Sequence, residues 1–216
     1  MIVPFRTEED VDAVAVKVAD HLRAGKLLAY PTETVYGVGS DASDAGLDAL
    51  ARLKRRAPSK PFLLLVSGLD MLTASGLAMT PAARVLAREF WPGPLTLVLR
   101  GGEGRLPDRL RGPDGGIAVR WTSHPLLARL ISAIGEPITS TSANVPGSAP
   151  SAGATGVPVI FPDAVKSGEL LVLDGGVLGN VPPSTLVDCT GSVARLVREG
   201  AIPRAELRAR AGSLAP

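Results

Sequence analysis

Phe62-Leu-Leu-Leu-Val66 and Leu95-Thr-Leu-Val-Leu99 are short apolar runs, each closed by Pro or Gly within two residues, and they are what most limits the folds open to this chain. Runs of this length suit strands covered on both faces, the usual state of a sheet with helices packed against it. The segments between them carry the other period. Val11, Val14, Ala15, Val18 and Leu22 recur at helical spacing after Thr7, which with Asp10 three residues on has the form of an N-terminal cap, and Gly25 ends the pattern. Residues 44 to about 54 place Leu47, Leu50 and Ala51 on one face; Thr80-Pro81 reads as the cap and first turn of a helix ending near Phe90. Ser123 reads as the cap of a further helix through Leu126, Leu127, Leu130, Ile131 and Ile134, stopped by Gly135.

Residues 27–30, 117–121, 170–173, 185–187 and 194–197 are further predicted strands, and 204–210 a last helix. Strands alternating with helices place the chain in the α/β (α+β) class, and short connections such as Asp174-Gly-Gly require some antiparallel pairing, so the sheet is expected to be mixed. Residues 31–42 are expected to be a glycine-punctuated loop, and 146–158, which contain no charge, a flexible one. No period repeats along the chain, and one domain spanning 1–216 is expected, with its core at about 7–202 and a terminal helix and tail at 203–216.

The 24 Gly and 19 Pro are about a fifth of 216 residues, short of the roughly 25–30% that marks low complexity. A formal charge of +2 gives no argument for nucleic acid from net charge. Cys189 is the only cysteine, which excludes an intrachain disulfide and a cysteine-rich zinc site. With no apolar run near the ~18 residues a membrane span needs and no leader-like start, a cytoplasmic protein that does not enter the membrane is expected.

Three features point to chemistry. Arg52, Lys54, Arg55, Arg56 and Lys60 fall within nine residues that hold no carboxylate. Cations favour helix C-termini through the macrodipole, but a fork of donors at Arg and a movable point charge at Lys also suit phosphate or carboxylate, the reading preferred for Lys54 and Arg56. Ser140-Thr-Ser-Ala-Asn144 follows the apolar Pro137-Ile138, where ligands often sit in open sheets, although Ser, Thr and Asn also bond their own backbone in ordinary turns. Arg120 is a lone charge in Ile-Ala-Val-Arg-Trp: either it alternates onto an exposed face, or it is buried and needs a carboxylate or a bound anion. There is no Walker A spacing and no Gly-x-Ser-x-Gly elbow. Gly37-x-Gly-x-x-Ala42 matches a loose dinucleotide fingerprint, but a polar segment separates it from the preceding strand.

Taken together, Pro31-Thr-Glu-Thr-Val-Tyr-Gly-Val-Gly-Ser-Asp, Lys54-x-Arg56, Lys60-Pro61, Trp91-Pro-Gly-Pro-Leu-Thr-Leu-Val, Val119-Arg120, Ser142-Ala-Asn144 and Ser184-Thr-Leu-Val-Asp188 resemble the YrdC/Sua5 family in order and spacing over about residues 7–202. The resemblance implies a YrdC-like twisted open sheet with flanking helices around a concave basic cavity. It implies synthesis of threonylcarbamoyl-AMP and pyrophosphate from L-threonine, bicarbonate and ATP. Downstream, a threonylcarbamoyl transferase complex would modify adenosine 37 of tRNAs reading codons that begin with A. The length fits the catalytic domain alone. By the same resemblance Lys54, Arg56, Lys60, Ser142, Asn144, Ser151 and Arg198 would contact ATP, Lys54 and Arg56 stabilising charge in the reaction without a covalent nucleophile. Thr32, Arg120, Ser140 and Ser184 would hold threonine. Magnesium would arrive with the nucleotide. An RNA-binding module for double-stranded RNA or tRNA, without synthase activity, is the alternative the same basic cavity allows. The chain departs from the family pattern in places: Lys60-Pro-Phe-Leu-Leu-Leu65 stands where many relatives have Asn-Pro-Leu-x-x-His, Gly116 where a threonine is common, and Thr122 where a proline follows Val-Arg-x. The loop between Asn144 and Ser151 is one residue longer.

Overall fold

The apolar runs at 62–66 and 95–99 lie near the middle of an 11-stranded mixed sheet in a computed structural model that describes residues 1–55, 61–179 and 181–212. Among the described residues the strands are β1 (Ile2–Pro4), β2 (Leu27–Tyr30), β3 (Gly37–Gly39), β4 (Leu63–Val66), β5 (Leu77–Ala78), β6 (Leu95–Gly101), β7 (Ile117–Trp121), β8 (Ile138–Ser142), β9 (Leu170–Asp174), β10 (Thr185–Asp188) and β11 (Arg195–Arg198). The helices are α1 (Glu8–Arg23), α2 (Asp44–Lys54), α3 (Leu69–Ala74), α4 (Pro81–Phe90), α5 (Pro125–Ile134), α6 (Val157–Ile160), α7 (Pro162–Lys166) and α8 (Arg204–Ala211). The strand order is β1-β9-β2-β3-β8-β4-β7-β6-β10-β11, with β5 added to β6. Pairs β1/β9, β2/β9, β4/β7 and β6/β10 are parallel and the others antiparallel, so the sheet is mixed, but not through Asp174-Gly-Gly: β9, which that turn follows, is parallel to both neighbours, and the chain crosses from there to β10 on the far side of the sheet.

Local chemistry sets most boundaries. The Thr7 hydroxyl accepts from the Asp10 N–H while the Asp10 carboxylate accepts from the Thr7 N–H, closing both ends of a capping box on α1. Thr80 accepts from the Ala83 N–H with Pro81 in the first turn of α4. α5 starts differently from expectation. His124, not Ser123, is its cap, and the ring Nδ1 accepts from the Leu127 N–H at 3.2 Å. Residues 146–158 are not loop throughout, because a 3-10 turn at Ala154–Gly156 runs into α6.

The expected loop at 31–42 contains β3, and its glycines explain why a Gly-Val-Gly segment can be a strand. A Cβ on Gly39 would stand 1.8 Å from the Thr139 carbonyl oxygen, and one on Gly37 would stand 2.8 Å from the Tyr30 ring. β3 is therefore wedged between β2 and β8 at a spacing that only glycine permits.

Side chains alternate between the two faces, and cross-strand partners share one. Leu64, Val119 and Leu97 are in register and join the larger core, which also takes Leu47 and Leu50 of α2, Leu86 of α4 and Leu207 of α8. On the other face Leu65 and Ile138 are partners and pack with Val11, Val18, Leu127 and Leu130, so α1 and α5 cover this region. The same face continues through Leu63↔Ser140 and Leu65↔Arg120, and there the side chains turn from hydrocarbon to hydroxyl and guanidinium. That change along one sheet face places the site. Among the described residues no helix is long and apolar enough to cross a membrane.

Candidate active site

A cavity of about 440 Å³ opens where α1 and α5 stop covering the sheet. Its walls are mainly the face-sharing residues of the central strands: Gly37 from β3, Ser140 and Ser142 from β8, Ala118 and Arg120 from β7, and Thr96 from β6, with Thr141 adding to the lining between the two serines. Thr32 and Thr34 close one side, Asn144 and Pro150 another, and Ser184 and Arg198 a third. The size lies in the range of small-molecule sites, roughly 300–1,000 Å³.

Seven residues that the sequence marks as candidates therefore meet here: Thr32, Arg120, Ser140, Ser142, Asn144, Ser184 and Arg198. Arg120 is buried, so the alternative of an exposed charge is excluded, and its carboxylate partner is Glu33, with Nε 3.4 Å from Oε1. Its Nη1 donates to the Thr34 hydroxyl at 3.3 Å. The Thr32 hydroxyl folds the loop, accepting from the Thr34 and Val35 N–H groups and donating to the Val35 carbonyl at 2.7 Å. Ser184 shares a 2.8 Å hydrogen bond with Thr96. Arg198 donates to the Ser184 carbonyl at 2.8 Å. Its pKa lies below the ordinary guanidinium value because of partial burial and the like charge of Arg120. An anion in the cavity would relieve both.

Lys54 does not reach the surface of the cavity as its place in a basic run suggests. It is buried at the end of α2, and its ammonium donates to the Ser142 carbonyl at 2.7 Å, the Asn144 carbonyl, and the Asn144 Oδ1 at 2.8 Å. Ser142 donates to the same Oδ1 at 2.7 Å, and the Asn144 amide donates to the Ser148 carbonyl. The lysine thus shapes the Ser142–Asn144 segment from below. Ser151 is also buried, but it is not among the cavity's lining residues, and its hydroxyl donates to the Gly153 carbonyl at 2.6 Å. Arg56 and Lys60 lie outside the described residues.

Glu33, Thr34 and Thr96 belong to the site region without having been named individually as candidates from sequence, and Thr122, noted there only as a departure from the family pattern, joins them as the partner of Glu33. Glu33 carried a signal, because a buried lone arginine calls for a carboxylate. Thr96 carried none, since inside an apolar strand it reads as core. The remaining nucleophile of note, Cys189, is buried in the larger core, and burial pushes its thiol up to about 12. It takes no part in the cavity.

What this arrangement can do follows from its donors. Hydroxyls, an amide and two guanidinium groups stabilise anionic oxygens and offer no nucleophile backed by a base, so the chemistry they support is positioning of two ligands and stabilisation of charge between them.

Comparison with known proteins gives a consistent picture. A family model described as Sua5/YciO/YrdC, telomere recombination, matches residues 20–200. A threonylcarbamoyl-AMP synthase of Chromohalobacter salexigens is 40% identical over 182 residues, covering 84% of this chain and 95% of that protein. One from Pyrococcus abyssi is 31% identical over 96% of this chain, which spans only 60% of the archaeal protein's length. The crystal structure of P. abyssi Sua5 complexed with L-threonine superposes with a TM-score of 0.87 at 29% identity, over 99% of this chain and 62% of that one. The structure of Escherichia coli YciO superposes with a TM-score of 0.77 at 25% identity, covering 93% and 94%.

Proposed function

The chain belongs to the Sua5/YciO/YrdC family, and on that premise we propose that it is a threonylcarbamoyl-AMP synthase acting on L-threonine, bicarbonate and ATP. One observation carries the reading at the level of this chain's own residues. The groups suited to an amino acid (Thr32, Arg120, Ser140 and Ser184) and those suited to phosphate (Ser142, Asn144 and Arg198) line one cavity.

Arg120 takes the carboxylate of threonine, since a guanidinium offers a planar pair of donors to it. Ser140 and Ser184, on opposite walls, bond its remaining polar groups. The amine, once deprotonated, adds to carbon dioxide derived from bicarbonate to give a carbamate. A carbamate oxygen attacks the α-phosphorus of ATP, the bond to the β-phosphate oxygen breaks, and pyrophosphate leaves with that electron pair. Protein groups supply no bond in this sequence. Ser142 and Asn144 hold the phosphates, Lys54 adds charge from beneath them, and Arg198 meets the charge that grows on the leaving group. Arg56 and Lys60 keep the phosphate role that the resemblance assigns to them, and Ser151 supports the loop from behind. Holding the two reactants in line accounts for most of the acceleration available to such a site.

The lining donors suit phosphate oxygens and not a hard dication, which wants several carboxylate or carbonyl oxygens. Magnesium is accordingly a companion of the nucleotide, held by its phosphates. The product is a mixed anhydride that hydrolyses readily, so a transferase acting on tRNA adenosine 37 must take it up.

The test is pyrophosphate release with ATP and bicarbonate, with and without L-threonine. Threonine-dependent release is expected. Folded protein that releases none, yet binds RNA with a steep salt dependence, would replace this reading with that of an RNA-binding module.

A further inference from the structure

Of the two guanidinium groups that line the cavity among the described residues, Arg120 has a carboxylate at its back. Glu33 has a side chain only 12% exposed and Arg120 one only 5% exposed, and their facing atoms, Oε1 and Nε, stand 3.4 Å apart without a hydrogen bond between them. The other oxygen of Glu33 is fixed. Thr122 donates to Oε2 at 2.6 Å and itself accepts from the His124 N–H at 3.2 Å, so the start of α5 holds the threonine and the threonine holds the carboxylate.

We propose that Glu33, set in place by Thr122, is a specificity-determining residue that makes this end of the cavity select a zwitterionic amino acid over a simple carboxylate anion. This rests on the synthase reading and concerns its amino-acid subsite.

Arg120 alone, with Arg198 across the cavity, would form a dicationic pocket that attracts any small anion. Glu33 cancels one of the two charges. What remains at this end is a dipole, with guanidinium toward the ligand and carboxylate behind. A ligand carboxylate still finds the N–H groups of Arg120. Its net Coulomb gain is reduced by the nearby carboxylate, and that reduction is offset only if the ligand brings its own positive charge. An α-ammonium does so, because in a partly enclosed site, where the effective dielectric is below that of water, a charge a few ångströms away is still felt. The Oε1 left without a hydrogen bond matters here, since no donor quenches its lone pairs. Glu33 acts through Arg120 and through its field, and it is not one of the lining groups.

The experiment compares the KM for threonine with the inhibition constant of 3-hydroxybutyrate, which is threonine without its ammonium, in the wild type and in Glu33→Gln, Thr122→Val and Thr122→Ser, with thermal midpoints measured alongside. In Glu33→Gln the inhibition constant of the analogue should fall on the order of tenfold relative to the threonine KM, which changes little because attraction to the ammonium and repulsion of the carboxylate are lost together, and the ATP KM should hold. Thr122→Val, which releases the carboxylate without removing it, should move the same ratio by roughly threefold, and Thr122→Ser should restore it. A loss of fold would move both ligands together and cannot produce this divergence. If Glu33→Gln does not fold, Thr122→Val against Thr122→Ser carries the comparison. A ratio unchanged from the wild type, or threonine and analogue weakened equally, overturns the proposal while leaving the synthase reading intact. A wild type without threonine-dependent pyrophosphate release overturns that reading, and this one with it.

Discussion

Lys54→Met replaces the ammonium that ties the end of α2 to the Ser142–Asn144 segment while keeping an unbranched apolar stem in place. Among the described residues three oxygens lose a charged donor: the carbonyls of Ser142 and Asn144 and the amide oxygen of Asn144. The last still accepts from the Ser142 hydroxyl and the Ser142 carbonyl still accepts from the Asn144 N–H at 3.0 Å, so the Asn144 carbonyl bears most of the loss. Leaving a buried acceptor without a donor costs about 1–3 kcal/mol, so the change should destabilise the protein by about 2 kcal/mol. For a domain of this length each kcal/mol lowers the midpoint by about 2–4 °C, which gives a fall of about 6 °C by circular dichroism. ATP turnover measured well below the new midpoint should also drop, because the phosphate-holding segment has lost its support. Lys54→Arg should recover part of the stability, the charge being restored on a fork too broad for three converging oxygens. A midpoint within about 2 °C of the wild type together with a raised ATP KM would refute the reasoning. It would mean that the lysine's bonds to the loop contribute nothing net and that its role lies wholly with the nucleotide.

Three further outcomes can be checked independently. Arg198→Ala should raise the ATP KM roughly tenfold, the equivalent of one charge-assisted hydrogen bond, with a fall in thermal midpoint of about 4 °C, since among the described residues its side chain bonds the carbonyl of buried Ser184; a loss of stability large enough to account for the loss of activity would make it structural. Gly39→Ala should cost about 3 kcal/mol or more by forcing β3 off β8, because its Cβ would sit 1.8 Å from the Thr139 carbonyl oxygen, whereas Gly68→Ala, with nothing within 4 Å, should be close to neutral in urea unfolding. The pKa of His124 is held below its ordinary 6.5, chiefly by burial and against the pull of Glu33. The unfolded chain therefore takes up the proton first, and stability should fall as pH drops below 6.5. Urea unfolding of His124→Asn, which keeps a capping acceptor, should show a shallower pH slope with a remainder from the similarly depressed His21, and an unaltered slope would clear His124 of the effect.

The parts of this molecule that sequence reveals are those whose causes are local, and the contrast between β3 and α4 makes the point. Thr80-Pro81 announces α4 because the cap, the fixed proline φ and the first turn are neighbours in the chain. Gly37-Val-Gly39 reads as a loop because its reason for being a strand lies elsewhere, in the Tyr30 ring on one side and the Thr139 carbonyl about a hundred residues away on the other. His124 displaced Ser123 as a cap for a related reason: Thr122 holds its backbone N–H and its ring stacks on Phe5, far back in the chain, which leaves an imidazole nitrogen to accept from the free N–H of Leu127. The site divides along the same line. The resemblance named Arg120, Ser140, Ser142 and Ser184, which the fold brings around one cavity, yet spacing could not show that Lys54 points into the β8 loop, because a cation at a helix end is equally at home in solvent. Glu33 stood next to Thr32, which attracted attention, and was passed over. The isolated arginine in β7 already required an opposite charge, and a carboxylate in the loop that faces that strand was the nearest chemistry able to meet it.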